Sequence, residues 1–213
     1  MKELLFFFVT FGGLFSVLNP FGTMPIFIAL TADNSTAERK KIALKSSLYV
    51  LIVLIISFLI GKYVLLFFGI GITSLRLAGG LIISLSGFAL LTGNFNKHKG
   101  MNETVKDDAI KKDDPSLSPL AMPMLAGPGS ISFMIGMNDS TSEIIKEGII
   151  LFAAISVAIS TFLILRSANY LFKKMGASGL NTLSRVIGFL VVAIGIELML
   201  GSVYEIAEKI KLI

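Results

Sequence analysis

Two pairs of prolines, each pair five residues apart, interrupt segments that are otherwise apolar enough to cross a membrane. The first pair lies within Asn19–Pro25 and the second within Met122–Ser130. Proline lacks a backbone donor and clashes with the preceding helical turn, so each pair should break its helix. In lipid, the freed amides and carbonyls need partners from protein, water or a bound solute. Corresponding breaks in two parts of one chain are typical of a transporter's substrate site.

The predicted breaks offer backbone groups of opposite partial charge. The start of a half-helix exposes N–H groups and its end exposes carbonyls, which suits the carboxylate and the ammonium of a zwitterionic solute. The alternative is that these prolines and glycines only kink packed helices. The predicted substrate-binding residues are Asn19, Pro20, Phe21, Gly22, Thr23, Pro25, Pro123, Gly127, Pro128, Gly129 and Ser130.

Three charged residues are candidates for coupling or gating. Glu197 interrupts the last apolar run, and we expect it to be the one buried acid. Burial would favour its neutral form and make it a proton carrier; the alternative is a polar group bonded to backbone or water. Arg76 and Arg185 are expected at the starts of two helices. They are either interfacial anchors or gates that reach the carbonyl end of the opposite broken helix.

Composition indicates a multi-pass membrane protein. Hydrophobic residues make up 54% of the chain, charged residues 15%, and the mean hydropathy is +0.83. We therefore predict an all-α membrane protein of six transmembrane helices, and we expect the first apolar run to stay in the mature protein. The six runs are Leu4–Thr31, Ser46–Gly61, Leu77–Asn96, Pro115–Asn138, Gly148–Leu165 and Val186–Tyr204.

The order of the segments predicts an internal repeat. Residues 1–92 and 117–213 each form a three-helix unit, and residues 93–116 form a polar linker. An odd number of spans per unit gives two inverted repeats, with helices 1 and 4 of the six spans broken by proline and glycine. Each unit is expected to contain a broken helix, a plain helix and a third helix that begins at Arg76 or Arg185. Small residues such as Gly80 and Ser84 are expected to serve close helix packing.

Positive charge is sorted by loop, which predicts orientation. Thirteen lysines and arginines follow the first, third and fifth spans, and six fall on the other side. The positive-inside rule places the linker in the cytoplasm and both termini outside the cell (inner) membrane. The orientation of the loops then explains the net charge of +5, and we expect no nucleic-acid partner.

The proline breaks, the Pro119–Ser130 run, Arg76 with Gly79-Gly80 and Arg185 with Gly188 together resemble the MarC family of inner-membrane proteins. That family is related in plan to the LysE-type exporters. The resemblance implies a secondary carrier of glycine, alanine or similar neutral amino acids, driven by a proton or sodium gradient. The partners would be the amino acid, H⁺ or Na⁺ and the lipid bilayer. Whether the chain forms a homo-oligomer is left open by the sequence. One departure is Glu197, where the family's last helix is expected to carry an amide.

Other classes of function are less well supported. An intramembrane enzyme needs a nucleophile, metal ligands or paired carboxylates. The only acidic residue in the predicted spans is Glu197, the one histidine is His98 in the linker, and cysteine is absent. We expect no enzyme, no cofactor and no metal. The alternatives that remain are a non-transporting inner-membrane partner or assembly protein, and an exporter of another small metabolite.

Overall fold

The computed structural model describes residues 1–93, 114–139 and 144–211. These residues form helices joined by turns, without a strand, which confirms the all-α prediction. An irregular segment, Ser116–Leu125, lies between the fourth and fifth helices. The helices are α1 Lys2–Leu18, α2 Pro20–Leu30, α3 Thr36–Phe67, α4 Ile72–Thr92, α5 Pro128–Asp139, α6 Ile144–Arg166 and α7 Ala168–Lys211.

Among the described residues, five stretches are long and apolar enough to cross a membrane. They become six if the irregular segment and α5 together form one bent span. In this count α1 and α2 together are a single span, Lys2–Leu30. Residues 94–113, which hold most of the predicted linker, lie outside the described residues.

The interruption of the first span is confined to one residue. Asn19 has φ 48° and ψ 68°, and its N–H donates to the carbonyl of Phe15 at 2.9 Å. Pro20 is the first residue of α2, where a missing N–H and a fixed φ favour helix initiation. Pro25 lies inside the helix, which costs α2 one backbone hydrogen bond. The first helix is therefore interrupted at Asn19, and the residues from Pro20 to Pro25, which we expected to break it, are helical.

The second interruption is larger. In the irregular segment the backbone is extended at Ser118 and Met122, and the peptide bond that follows each of them is cis. A wide turn ends the segment, where the N–H of Ala126 donates to the carbonyl of Ala121 at 2.8 Å. The irregular segment and α5 meet at an angle of 65°.

Hydrogen bonds at the turn between α2 and α3 fix how these two helices are joined. The Ser35 side chain accepts from the N–H of Glu38, while the Glu38 carboxylate accepts from the N–H of Ser35. This reciprocal cap starts α3. Arg39 donates to the carbonyls of Thr31 and Ala32 at 2.8 and 2.7 Å, so it satisfies the end of α2.

Helices α4 and α7 are antiparallel, and their backbones are in close contact. A Cβ placed on Gly80 would lie 2.6 Å from the carbonyl oxygen of Gly195, and one on Gly87 would lie 2.8 Å from that of Gly188. The reverse contacts measure 2.5 Å from Gly195 and 3.0 Å from Gly188, and a Cβ on Gly195 would also meet Ser84. We call these four glycines the glycine seam. Small residues here serve helix packing, as expected.

The last helix does not begin where the sequence predicted. Helix α7 includes a break at Gly176, where φ is +66°, and then continues through Arg185 to Lys211. Arg185 therefore lies inside a helix, and the prediction that a helix begins there is wrong. Arg76 lies in the second turn of α4. Glycine is suited to the break because it adopts positive φ without a steric cost.

Candidate functional site

The two interruptions lie close together in the interior. A Cβ on Gly129, in the first turn of α5, would be 3.1 Å from Cγ1 of Ile83 and 3.4 Å from Cγ1 of Val17. Val17 is in the last turn of α1, two residues before Asn19. The start of α5 thus lies beside the middle of α4 and beside the end of α1, just ahead of the break that precedes the start of α2. Each start carries the positive partial charge of a helix N-terminus.

Asn19 combines a structural role with an unused donor. Its Oδ1 accepts from the N–H of Gly22 at 3.2 Å, and its backbone carbonyl accepts from the hydroxyl of Thr23 at 3.4 Å. The side chain is fully buried, yet its Nδ2 has no hydrogen-bond partner within residues 1–93, 114–139 and 144–211. A buried amide donor without a partner is costly, so the site is suited to a ligand that accepts a hydrogen bond.

The second helix start is similarly built from small residues. Gly127 ends the irregular backbone, and its carbonyl accepts from the Ser130 hydroxyl at 2.9 Å. Ser130 is fully buried and Gly129 is buried beside it. Pro128 opens α5, so the next two amides, of Gly129 and Ser130, lie in its first turn, where helical N–H groups lack intrahelical acceptors.

The predicted substrate-binding residues separate into three groups by exposure. Phe21 and Pro25 are half-buried, and the Phe21 ring meets Phe15 edge-on across the break at 6.1 Å between centroids. Pro123 and Pro128 are exposed, which suits a role in bending the backbone rather than in contacting a solute. The buried group consists of Asn19, Pro20, Gly22, Thr23, Gly127, Gly129 and Ser130.

A small polar cavity of about 100 Å³ reaches the first break from the linker end of α4. Arg185 of α7 is exposed and lies on the wall of this cavity. The cavity therefore joins one of the predicted gating residues to the start of α2. We call it the linker-side cavity; its lining residues are Gly22, Pro25, Leu90, Gly93, Asn181, Ser184 and Arg185.

The other predicted gating arginine is engaged at the opposite end of α4. Arg76 donates through Nη2 to the carbonyl of Gly136 at 2.9 Å, near the end of α5. Its Nη1 lies 3.5 Å from Oε2 of Glu205, whose Oε1 accepts from the Thr73 hydroxyl at 3.1 Å. These contacts join α4, α5 and α7, and we call them the Arg76 cluster. Sequence reasoning missed Glu205 and Thr73, although Glu205 directly follows the last apolar run.

Glu197 does not occupy the buried position that was predicted for it. Its side chain is exposed on α7 and lies on the wall of a cavity of about 440 Å³ between α1, α5 and α7. The carboxylate faces outward because Gly195 and Val191, which are buried, occupy the side of the helix that packs inward. The expectation that the protein buries this acid is wrong, whereas its position at membrane depth stays a prediction.

Comparison with known proteins gives a consistent result over nearly the whole chain. The MarC family, described as integral membrane proteins, matches residues 4–207. The chain belongs to the MarC family. It is 33% identical over 202 residues to the membrane protein MJ1677 of Methanocaldococcus jannaschii, covering 94% of this chain and 97% of the relative.

Bacterial MarC-family proteins are about as similar. YhcE of Escherichia coli is 32% identical over 197 residues, covering 92% of this chain and 91% of YhcE. The inner membrane protein MarC of Citrobacter koseri is 32% identical over 211 residues, covering 92% of both chains. No solved structure matches this chain. These names describe membrane proteins and assign neither a substrate nor a coupling ion.

Proposed function

We propose that this MarC-family protein is a secondary carrier of small neutral amino acids, such as glycine or alanine, coupled to a proton or sodium gradient. The observation that carries the proposal is the buried, unpartnered Nδ2 of Asn19 at the start of α2, two residues after Val17, which lies against the start of α5 at Gly129. Two N-termini and an amide donor favour a carboxylate. The last carbonyls of α1 lie at the same junction and favour an ammonium.

The arginines support a carrier that opens on alternate sides. Arg76 ties α4 to the end of α5 and to Glu205, which closes one end of the site. At the other end of α4, Arg185 borders the linker-side cavity, which reaches Gly22. In this proposal the two halves are inverted repeats, the linker-side cavity is the cytoplasmic entrance, and Arg185 closes it when the Arg76 cluster opens.

Glu197 is the coupling candidate in this proposal. Its carboxylate borders a largely apolar cavity on the side of the breaks away from the linker. A carboxylate at membrane depth is costly unless it is paired, hydrated or protonated, and proton binding that alternates with solute binding would use this cost. Glu197→Gln should therefore flatten the pH dependence of transport while leaving the protein folded.

The test is uptake of labelled glycine and alanine into proteoliposomes under an imposed proton or sodium gradient. Asn19→Asp keeps the Oδ acceptor that caps α2 but replaces the Nδ2 donor with a second acceptor, so it should reduce uptake by about tenfold or more. Gly12→Ala is the control, because a Cβ there meets nothing within 4 Å. It should transport like the wild type.

Other outcomes would favour other functions. Gradient-driven movement of a different small metabolite would leave a carrier but refute the amino-acid assignment. Binding of a protein partner without any solute movement would favour the non-transporting assembly role. Uptake that is unchanged in Asn19→Asp would refute the proposed site.

A further inference from the structure

A second cavity lies on the opposite side of the breaks from the linker-side cavity. It measures about 440 Å³ and is bounded by α1, α5 and α7. Its volume falls within the range of about 300–1,000 Å³ that is typical of small-molecule sites. We call it the Glu197 cavity; its lining residues are Val9, Thr10, Gly13, Phe133, Met137, Ala193, Ile194, Glu197 and Leu198.

The walls of the Glu197 cavity are apolar except for two oxygen-bearing side chains. Glu197 contributes an exposed carboxylate, and Thr10 contributes a hydroxyl that is fully buried. The Thr10 Oγ1 has no hydrogen-bond partner in the part of the chain that the structure describes. Thr31 and Ser47, by contrast, bond the carbonyl four residues earlier, whereas the buried hydroxyl of Thr161 is without a partner among the described residues, as that of Thr10 is.

These two groups define the chemistry of a ligand. Glu197 supplies a negative charge at the exposed part of the wall, and Thr10 supplies a deeper acceptor that is left without a donor. A ligand with a net negative charge would be repelled by Glu197, while a neutral hydrocarbon would cover the carboxylate without pairing it. An ammonium carries three N–H donors and a positive charge, which matches both needs.

We propose that the Glu197 cavity binds an amphiphile with a primary ammonium head. The ammonium pairs with the Glu197 carboxylate, and the hydrocarbon chain lies against Phe133, Met137 and Leu198. Two sources share this chemistry: the headgroup of phosphatidylethanolamine and a free hydrophobic amine. The site is separate from the break at Asn19 but includes Glu197, the coupling candidate of the proposed function. Octylamine binding is measured without a gradient, so its outcome does not depend on whether the protein transports amino acids.

The test uses native mass spectrometry of the full chain released from detergent micelles. Octylamine should bind saturably and about tenfold or more tightly than octan-1-ol, which has the same chain without the charge. Glu197→Gln should remove this preference. Glu208→Gln is the matched control, because it removes an exposed acid from the same helix outside the cavity.

A second variant keeps the test decisive if Glu197→Gln folds poorly. Ala193→Phe fills part of the cavity wall and leaves Glu197 in place, so it should weaken octylamine binding as well. Retention of phosphatidylethanolamine over phosphatidylcholine, reversed by octylamine, identifies the lipid as the source. Octylamine binding without that lipid preference identifies a free amine. Equal octylamine binding by the wild type and Glu197→Gln, or by the wild type and Ala193→Phe, would overturn the proposal.

Discussion

Asn19 shows how one residue can satisfy two demands at the first break. Its φ of 48° lies in the left-handed region, which asparagine tolerates better than most side chains. Its Oδ1 also caps α2 by accepting from the N–H of Gly22. Aspartate could meet both demands but would replace the buried Nδ2 donor with an acceptor. The choice of asparagine therefore favours a ligand that accepts a hydrogen bond.

Arg76 is expected to control access to the buried face of α5. Arg76→Gln shortens the side chain and removes its charge, so the contacts with Gly136 and Glu205 should be lost or weakened. Ser132 lies in α5, buried against Gly79 of α4. In a Ser132→Cys background, Arg76→Gln should raise the rate of labelling by an impermeant maleimide about tenfold.

Arg39→Gln is the matched control for that measurement. Arg39 also donates to carbonyls at the end of a helix, but the helix is α2. It should leave the labelling of Ser132→Cys unchanged. An equal rise in both variants would mean that Arg76 stabilises the whole protein rather than this one contact.

Asp114 gives the structure a dependence on acid pH. Hydrogen bonds from Lys45 and from Ser116 lower the pKa of Asp114 to about 2, from an ordinary value of 3.8. Because the pKa is lower in the folded state, the stabilisation is complete above pH 4 and is lost as the pH falls through 3.8 towards 2. The side chain is 43% exposed, so the effect should stay below about 1 kcal/mol.

The measurement compares thermal stability as a function of pH. At pH 6 the wild type should melt slightly above Asp114→Asn, and the two curves should converge towards pH 2. Asp33→Asn, which removes an exposed carboxylate from the turn before α3, is the control and should follow the wild type. A constant difference between wild type and Asp114→Asn down to pH 2 would contradict the role of the ionised carboxylate.

At the scale of the elements, the glycine seam sets how closely α4 and α7 approach. Gly87→Ala would place a methyl group 2.7 Å from the backbone nitrogen of Val192 and 2.8 Å from the carbonyl oxygen of Gly188. Backbone cannot move aside as a flexible side chain can. Overpacking of this kind typically costs about 1–3 kcal/mol, so Gly87→Ala should lower the melting temperature in detergent.

Gly201→Ala tests whether the seam, rather than helical glycine as such, is responsible. Gly201 is also in α7, but a Cβ there meets nothing within 4 Å. Alanine is the better helix former by about 1 kcal/mol, so this variant should be neutral or slightly more stable. Similar losses in both variants would argue against the seam.

The sequence predicted where the helices are interrupted better than the form of each interruption. Proline signalled both breaks, but Pro20 and Pro128 each begin a helix, a position that proline favours. Pro25 is accommodated inside α2, so proline alone could not distinguish a break from a tolerated kink. Arg185 resembles Arg76 in its sequence neighbours, since a glycine follows each of them three residues later. The helix break nearest to Arg185 nevertheless lies at Gly176, where the positive φ favours glycine.

The site was predicted in part for a related reason. Asn19, Gly129 and Ser130 were identified because they adjoin the prolines. Glu205 was missed because its partner Arg76 is distant in the chain, and hydropathy gives no information on contacts between helices. Glu197 was expected to be buried because it lies in an apolar run. An apolar helix in a membrane protein has a lipid-facing side, however, and hydropathy does not distinguish that side from the interior.

At the scale of the whole molecule, the distribution of charge predicts orientation. We expect Met101→Cys in the linker to be labelled only from the cytoplasmic side, and Ser142→Cys, before α6, only from outside. Both positions lie outside the described residues, and the absence of native cysteine removes background. The measurement is labelling of intact cells with an impermeant thiol reagent. Labelling of Met101→Cys in intact cells would reverse the orientation.

The glycine seam also determines which changes of length the chain can accept. An inserted residue turns a helix by about 100° and shifts it by about 1.5 Å. One insertion between Gly80 and Gly87 would therefore remove one of these glycines from its partner on α7, whichever end of α4 stayed in place. The same holds between Gly188 and Gly195. Related proteins should therefore differ in length at turns such as the one near Gly71, where added atoms meet open space, and keep these two intervals constant.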